Sequence, residues 1–456
     1  MRIDALVAEI GSTTTTVTAF DGLDRPVPRR LGQGMAATTV ETGDVTVGLA
    51  QAQEDLRRRL RQEELQAERV LAAASAAGGL RMTVHGLVKD MTVRAAREAA
   101  LGAGAVVKAV TAGKMSDGDL QAVISQRPNI ILLAGGVDHG EKETILHNAR
   151  CLAKLPAWGV TVPVVFAGNI AARQEAVAIL SAGGLPVPVV DNVYPRLDEL
   201  VVGPARAAIQ AVFEEHIVQA PGMERIRESV DGPIMPTPAA VLRAAEYLAE
   251  QCGDLLVVDV GGATTDVHSV TEQVHRLALH PEPHSKRTVE GDLGVYVNAQ
   301  HVVELIGPEN LAKELGEEVR PLLAAPVVIP RSDLEVAFVE RLAREASRQA
   351  LRRHAGQLRT IYGPSGRITV AEGRDLSAVR WIIGTGGPLT ALPGGRQILQ
   401  ALKAPGNDRL LWPGEGAQVL IDRHYILAAL GLLLQAGVKN VLPLALSSFG
   451  IPSPLQ

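Results

Sequence analysis

One local pattern occurs twice in this chain, and it limits the fold more than any other feature. Residues 7–17 read V-A-E-I-G-S-T-T-T-T-V, and residues 257–267 read V-V-D-V-G-G-A-T-T-D-V. Each is an apolar strand carrying one inward carboxylate, then a glycine turn, then small hydroxyl residues leading into a second strand. Glycine has no Cβ, so such a turn can bring backbone N–H groups close to phosphate oxygens. Ser12, Thr13, Thr264 and Thr265 add hydroxyl donors beside Gly11, Thr14, Gly261 and Gly262. The carboxylates of Glu9 and Asp259 would repel a phosphate unless a divalent cation lay between them. Mg2+ suits that place, because it keeps most of its waters and needs only one or two carboxylates. One such turn is ordinary; two in the same order, about 250 residues apart, predict a polyphosphate gripped from both sides.

The chain between and after these loops reads as α/β. At 456 residues it is too long for one compact core, and two or three domains are expected. From about residue 80 to 215, short apolar runs (80–87, 105–110, 129–134, 163–167 and 186–190) alternate with helical patterns at 92–102, 117–126, 141–154, 171–182 and 198–213. Strands separated by single helices imply βαβ units and a parallel sheet. A helix is also expected over 44–68, carrying Arg57, Arg58, Arg59 and Arg61 on a solvated face. A Pro-marked segment, 221–238, precedes a helix running to Gln251, with Thr237 ahead of Pro238 offering capping chemistry. A charged helix near 333–356, a strand at 381–383 and an apolar helix near 425–436 complete the tail. The expected lobes are 1–235, holding the first loop and the βα-rich region, and 236–456, holding the second.

Composition removes several function classes. A formal net charge of −5 gives no reason to expect nucleic acid or an anionic membrane as a partner. The two cysteines, Cys151 and Cys252, form no CxxC pair, which argues against zinc ribbons and cysteine-ligated clusters; each reads as a small buried hydrophobe. The N-terminal apolar run is too short for a signal peptide. The stretch 425–438 falls short of the roughly 20 residues needed to cross a bilayer, so a cytoplasmic location is expected. His268, His275, His280 and His284 read as loop histidines, because Pro281 and Pro283 break any shared helix face. Lys89, Arg94 and Arg97 read as a solvated helix.

The paired loops carry a family resemblance. The chain resembles the superfamily of acetate and sugar kinases, Hsp70 and actin, with residues 9–15 similar to its first phosphate motif and 259–266 to its second. The resemblance implies a two-lobed actin/Hsp70-like (ribonuclease H-like) ATPase fold with a βα-rich insertion, with ATP and Mg2+ as ligands. Its adenosine motif is a strand followed by a Gly-rich turn into a helix, and Trp381-Ile-Ile-Gly-Thr-Gly-Gly-Pro388 fits it, with Gly384, Gly386 and Gly387 against the adenosine. Residues 132–137, LLAGGV, have the same grammar but lie between the phosphate loops, so order favours 384–387. Glu290-Gly-Asp-Leu-Gly294 sits where Hsp70-like proteins place a loop near the nucleotide. Most of the superfamily has Asp where this chain has Glu9, whose carboxylate stands one methylene further out. Asp259 or Asp266 is expected to orient the attacking water, with Glu9 aiding the metal.

Within that superfamily the wording is similar to the glutamate mutase accessory family, called GlmL or MutL and unrelated to the mismatch-repair ATPase. The strings are AEIGSTTTTVTAF, GQGMAATTVETGDVTVG, ILLAGGVDHGEKETILHNA, VVFAGN and TVEGDLGVYVNA, spread over the first 300 or so residues. The resemblance implies a slow ATPase that reactivates or assembles an adenosylcobalamin-dependent mutase of the glutamate mutase or aminomutase type. Cobalamin-dependent mutase subunits are then the expected partners, and a homodimer is compatible with this reading. The chain has no D-x-H-x-x-G motif, so any cobalamin is expected on the partner. Two alternatives share the same site: a small-molecule kinase of the acetate or sugar kinase type, and an assembly protein that binds nucleotide without hydrolysing it.

Overall fold

The computed structural model describes residues 1–39, 44–75, 80–103, 105–217, 223–272, 278–279, 281–363, 366–403 and 409–452. His275 and His280 lie outside them. Strands β1 (Arg2–Ile10), β2 (Thr14–Asp21), β3 (Arg29–Ala37) and β4 (Gln66–Ala74) open the chain. After them come β5 (Leu80–Gly86), β6 (Ala105–Ala112), β7 (Ile130–Leu133) and β8 (Val164–Phe166), then β9 (Met235–Pro236), β10 (Leu255–Val260), β11 (Thr265–Val270) and β12 (Ser285–Glu290). The last four are β13 (Gln357–Gly363), β14 (Gly366–Glu372), β15 (Trp381–Thr385) and β16 (Gln418–Ile421).

The contacts divide the chain into two units. The first is Met1–Ala76, Pro221–Leu279 and Arg287–Gln456; the second is Ala77–Ala220 with His280–Lys286. The first unit holds two five-stranded sheets built to one plan, β3-β2-β1-β4-β9 and β12-β11-β10-β15-β16. In each, a hairpin (β1 with β2, β10 with β11) is followed by strands added in parallel (β4 and β9, β15 and β16). This duplicated α/β sheet is the two-part plan expected from the paired loops.

Four helices set the layers: α1 (Val45–Leu60), α2 (Thr237–Cys252), α3 (Asp333–His354) and α4 (Leu427–Gln435). Strand alternation decides what each sheet face touches. Ala5 and Val7 of β1 and Leu255 and Val257 of β10 point into one shared core, filled by α2 and α4. Leu256, Val258 and Val260 point the other way, onto α3. The two central helices meet where a Cβ on Gly431 would overlap the Ala240 carbonyl oxygen. Helix α3 starts at a capping box, the Ser332 hydroxyl accepting from Glu335 N and the Glu335 carboxylate from Ser332 N.

In the second unit, β6-β5-β7-β8 form an all-parallel sheet with its own core, as the alternation predicts. The expected strand at 186–190 is reduced to one bridge, Phe166 to Val189. The Ala134–Gly136 turn lies here: the buried Asn192 side chain donates to Gly136 O and Asn169 N donates to Gly135 O, while the Asn169 side chain holds the Gly140 and Glu141 carbonyls of the segment that follows.

Three local expectations are corrected. The helix over 44–68 stops at Leu60, because Arg61 takes a left-handed conformation and the charged run after it leads into β4. Thr237 does not cap α2: the N-cap is Pro236, and the Thr237 hydroxyl has no hydrogen-bond partner among the described residues. Arg94 is not solvated but paired at 2.8 Å with Glu282. Among the described residues, no helix is long and apolar enough to cross a membrane.

Candidate functional site

The first hairpin closes with Gly11 N donating to Thr14 O at 3.0 Å, and the second repeats it, Gly261 N to Thr264 O at 2.8 Å. Both turns lie at the carboxyl end of their incoming strand, where open α/β sheets bind ligands. The two tips meet each other. A Cβ added to Gly262 would lie 2.8 Å from Thr13 Cγ2 and 3.2 Å from Thr13 Oγ1, so any larger residue there would have to displace the Thr13 side chain. Sequence reasoning placed both loops but had no means of showing that they touch.

The register carries the chemistry inward. Glu9 pairs with Thr16 and Asp259 with Asp266, and each acid shares its strand's inner face with Val7 or Val257. Glu9 is buried, and its Oε1 has no hydrogen-bond partner among the described residues. Burial first, then the charges of Asp422 and Asp259, push the Glu9 carboxyl up to about 8, against a hydrogen bond from the Ala429 backbone. Burial and the nearby Asp266 push the Asp259 carboxyl to about 7. Two carboxyls raised by burial and by neighbouring carboxylates, one with an orphaned oxygen, fit a site that a cation would relieve. Among the described residues no group of three or more His, Cys, Asp or Glu side chains could hold a metal ion, so water and phosphate would have to supply the other ligands.

The third element approaches from the parallel neighbour of β10. Asp259 pairs with Thr385, so the turn after β15 begins beside the acid. Gly386 has φ +86°, a left-handed conformation suited to glycine, and a Cβ there would overlap Val260 O and lie 2.7 Å from Asp259 Oδ1. Gly387 opens the helix Gly387–Thr390, and a Cβ on it would meet nothing within 4 Å. Gly384 sits differently: it lies within β15, its α-carbon packed against Leu399, Ile421 and Leu389.

Asp266 is tied inside the fold. It is buried and bridged at 3.0 Å to Arg287, itself 1% exposed. Thr264 Oγ1 donates to its other oxygen at 3.4 Å, and Thr265 Oγ1 donates to Leu293 O at 2.7 Å. The Glu290–Gly294 segment and the residues after it pack on the second loop, with Tyr296 N and Val297 N donating to Gly262 O at 2.9 and 2.8 Å. His268 is a buried β11 residue and not a loop histidine; burial lowers its basicity, and Arg287 adds to this.

Three residues at the site escaped the sequence reading. Asp422, fully buried, follows β16 and accepts from Thr385 Oγ1, Ser448 Oγ, Ile426 N and Leu427 N, so it fastens the start of α4 to the end of β15. Tyr425 has its hydroxyl pushed well up by burial and by Glu9, Asp259 and Asp422. Arg287 supplies the buried positive charge. No motif marks them. An aspartate five residues ahead of an apolar helix was the one local signal, and it is weak.

A profile of the MutL protein family matches residues 5–447. Protein MutL of Clostridium tetanomorphum is 38% identical over 448 residues, covering 94% of this chain and 96% of that protein. Among solved structures, the nucleotide-free form of diol dehydratase-reactivating factor is similar at 13% identity, over 95% of this chain and 100% of that one, with a TM-score of 0.37. Nucleotide-free acetone carboxylase is similar at 13% identity, over 94% of this chain and 70% of that one, with a TM-score of 0.38. At these scores neither structural likeness assigns an activity.

Proposed function

The chain belongs to the MutL protein family, and we propose that it is an ATP-binding, ATP-hydrolysing accessory protein that reactivates or assembles an adenosylcobalamin-dependent mutase. The observation that carries the nucleotide part is the meeting of the two hairpin tips, Thr13 against Gly262, beside two carboxyls of raised proton affinity. Gly11, Ser12, Thr13 and Thr14 would hold phosphate oxygens from one side, and Gly261, Gly262, Thr264 and Thr265 from the other. Gly386 and Gly387 would lie along the adenosine, with Gly384 setting the strand beneath them. Glu9 and Asp259 would hold Mg2+ through its waters, and a bound Mg2+ would offset phosphate charge. Asp259 is better placed than Asp266 to orient an attacking water, because Asp266 is spent on Arg287. The coupling to a partner would be a switch: nucleotide draws the lobes 1–235 and 236–456 together, and its loss lets them part.

Calorimetric titration of Mg·ATP tests this. Wild type should bind, Asp259→Asn should lose binding with its cation, and Gly387→Val should lose it because the new side chain fills open space where the adenosine would lie. Binding untouched in both variants would mean that the loops are scaffold. Phosphate release measured with and without a purified adenosylcobalamin-dependent mutase tests the second half: no stimulation by the mutase would sink the accessory role while leaving the nucleotide site standing.

A further inference from the structure

A groove of about 920 Å³ opens in the first unit, away from the paired loops. It is lined by Arg348 and Arg352 of α3, Arg359 and Glu372 of the β13–β14 hairpin, and Trp412. Helix α3 ends at His354, which bonds Ser269, and Ser269 pairs with Leu256 near the start of β10. Asp259 and Gly261 lie at the other end of that strand.

Three features of the groove point to a ligand. First, it gathers three arginines in a chain of net charge −5. Arg348 is paired with Glu345 and Arg359 with Glu372, but the exposed Arg352 has no partner among the described residues. Second, the groove has an aromatic wall, the Trp412 side chain, which is held in place by being only 6% exposed. Third, the hairpin extends the groove with an apolar strip. Strand alternation puts Gln357, Arg359 and Ile361 on one face, and the register sets Ile368 opposite Ile361 and Glu372 opposite Gln357. Ile361 and Ile368 are 37% and 38% exposed, so two isoleucines stand in solvent about 7 Å beyond Arg359.

We propose that this groove and the adjoining face of the β13–β14 hairpin form a docking site for an extended segment of a partner protein, acidic residues at the arginine end and apolar residues at the isoleucine end. Charge selects the acidic half, and the isoleucines bury the apolar half. A small anion would use the arginines but leave the isoleucines in water. The site stands whether or not the paired loops bind nucleotide.

The probe is a fluorescein-labelled synthetic peptide with a Glu-rich half and a Val/Ile-rich half, titrated with the full chain and read by anisotropy. Saturable binding is expected. Arg352→Glu and Ile361→Asp, both on exposed positions, should each weaken it about tenfold, with circular dichroism unchanged in both. The same peptide with Lys for Glu should not bind. Absence of saturable binding, equal binding of the Lys peptide, or affinity unchanged in both surface variants would each overturn the proposal. So would equal competition by single-stranded DNA, which would mark a charge patch alone. Self-association of the chain abolished by the same two variants would give the site to a second copy.

Discussion

At the scale of single residues, Glu9 makes the sharpest demand. Its carboxyl is pushed to about 8 in the folded chain and returns to the ordinary range near 4.5 when the chain unfolds. The folded state therefore binds the extra proton between those values, so this site's contribution to stability is fully present below about 4.5 and lost as pH rises through about 8. Glu9→Gln, which cannot ionise, should flatten that decline and melt higher than wild type at pH ~8 without Mg2+, by on the order of a few kcal/mol at most. Scanning fluorimetry across pH, with and without Mg·ATP, reads both arms. Added Mg·ATP should stabilise wild type and leave Glu9→Gln nearly unmoved. A wild-type melting curve no more pH-dependent than that of Glu9→Gln would show that Glu9 titrates normally.

At the scale of elements, the two central helices connect the site to the core. Gly431 of α4 lies against the Ala240 carbonyl of α2, and the Ala429 backbone of the same helix bonds Glu9. A methyl at 431 must push the helices apart. Gly431→Ala should cost about 1–3 kcal/mol by thermal melting and weaken Mg·ATP binding in the same variant, since the shift moves the partner of Glu9. An alanine variant that melts and binds as wild type would show that the crossing has slack. The same elements show what a sequence can reveal. The two hairpins, the parallel βα region and α4 were legible because their signals are local: glycine turns, period-two apolar runs, an uninterrupted apolar stretch. Asp422 and Arg287 were not, because one is placed by the pairing of β15 with β16 and the other by the neighbouring of β11 and β12. Gly384 fits the expected string equally well whether its α-carbon faces a ligand or Leu399, and only packing separates the two. Strands β13 and β14 escaped for a different reason: their apolar residues, such as Leu358, Ile361, Ile368 and Val370, are interspersed with polar ones and make no sustained apolar run.

At the scale of the whole molecule, every residue assigned to the nucleotide lies in the first unit, while the parallel sheet of residues 77–220 is an insertion between β4 and β9 with its own hydrophobic core. Replacing 77–220 by a Gly–Ser linker removes that core intact and leaves both five-stranded sheets, α2 and α4 in place. The cost should fall on 280–286, which loses the partners Arg94 of Glu282 and Glu98 of Lys286. The shortened chain should therefore still melt cooperatively and bind Mg·ATP within about tenfold of the full chain, a difference of about 1.4 kcal/mol. Stimulation of its phosphate release by a mutase is the separate readout: kept, it assigns partner coupling to the first unit, and lost, it assigns that coupling to the insertion. A shortened chain that melts cooperatively yet binds no nucleotide would refute the placement of the complete site in the first unit.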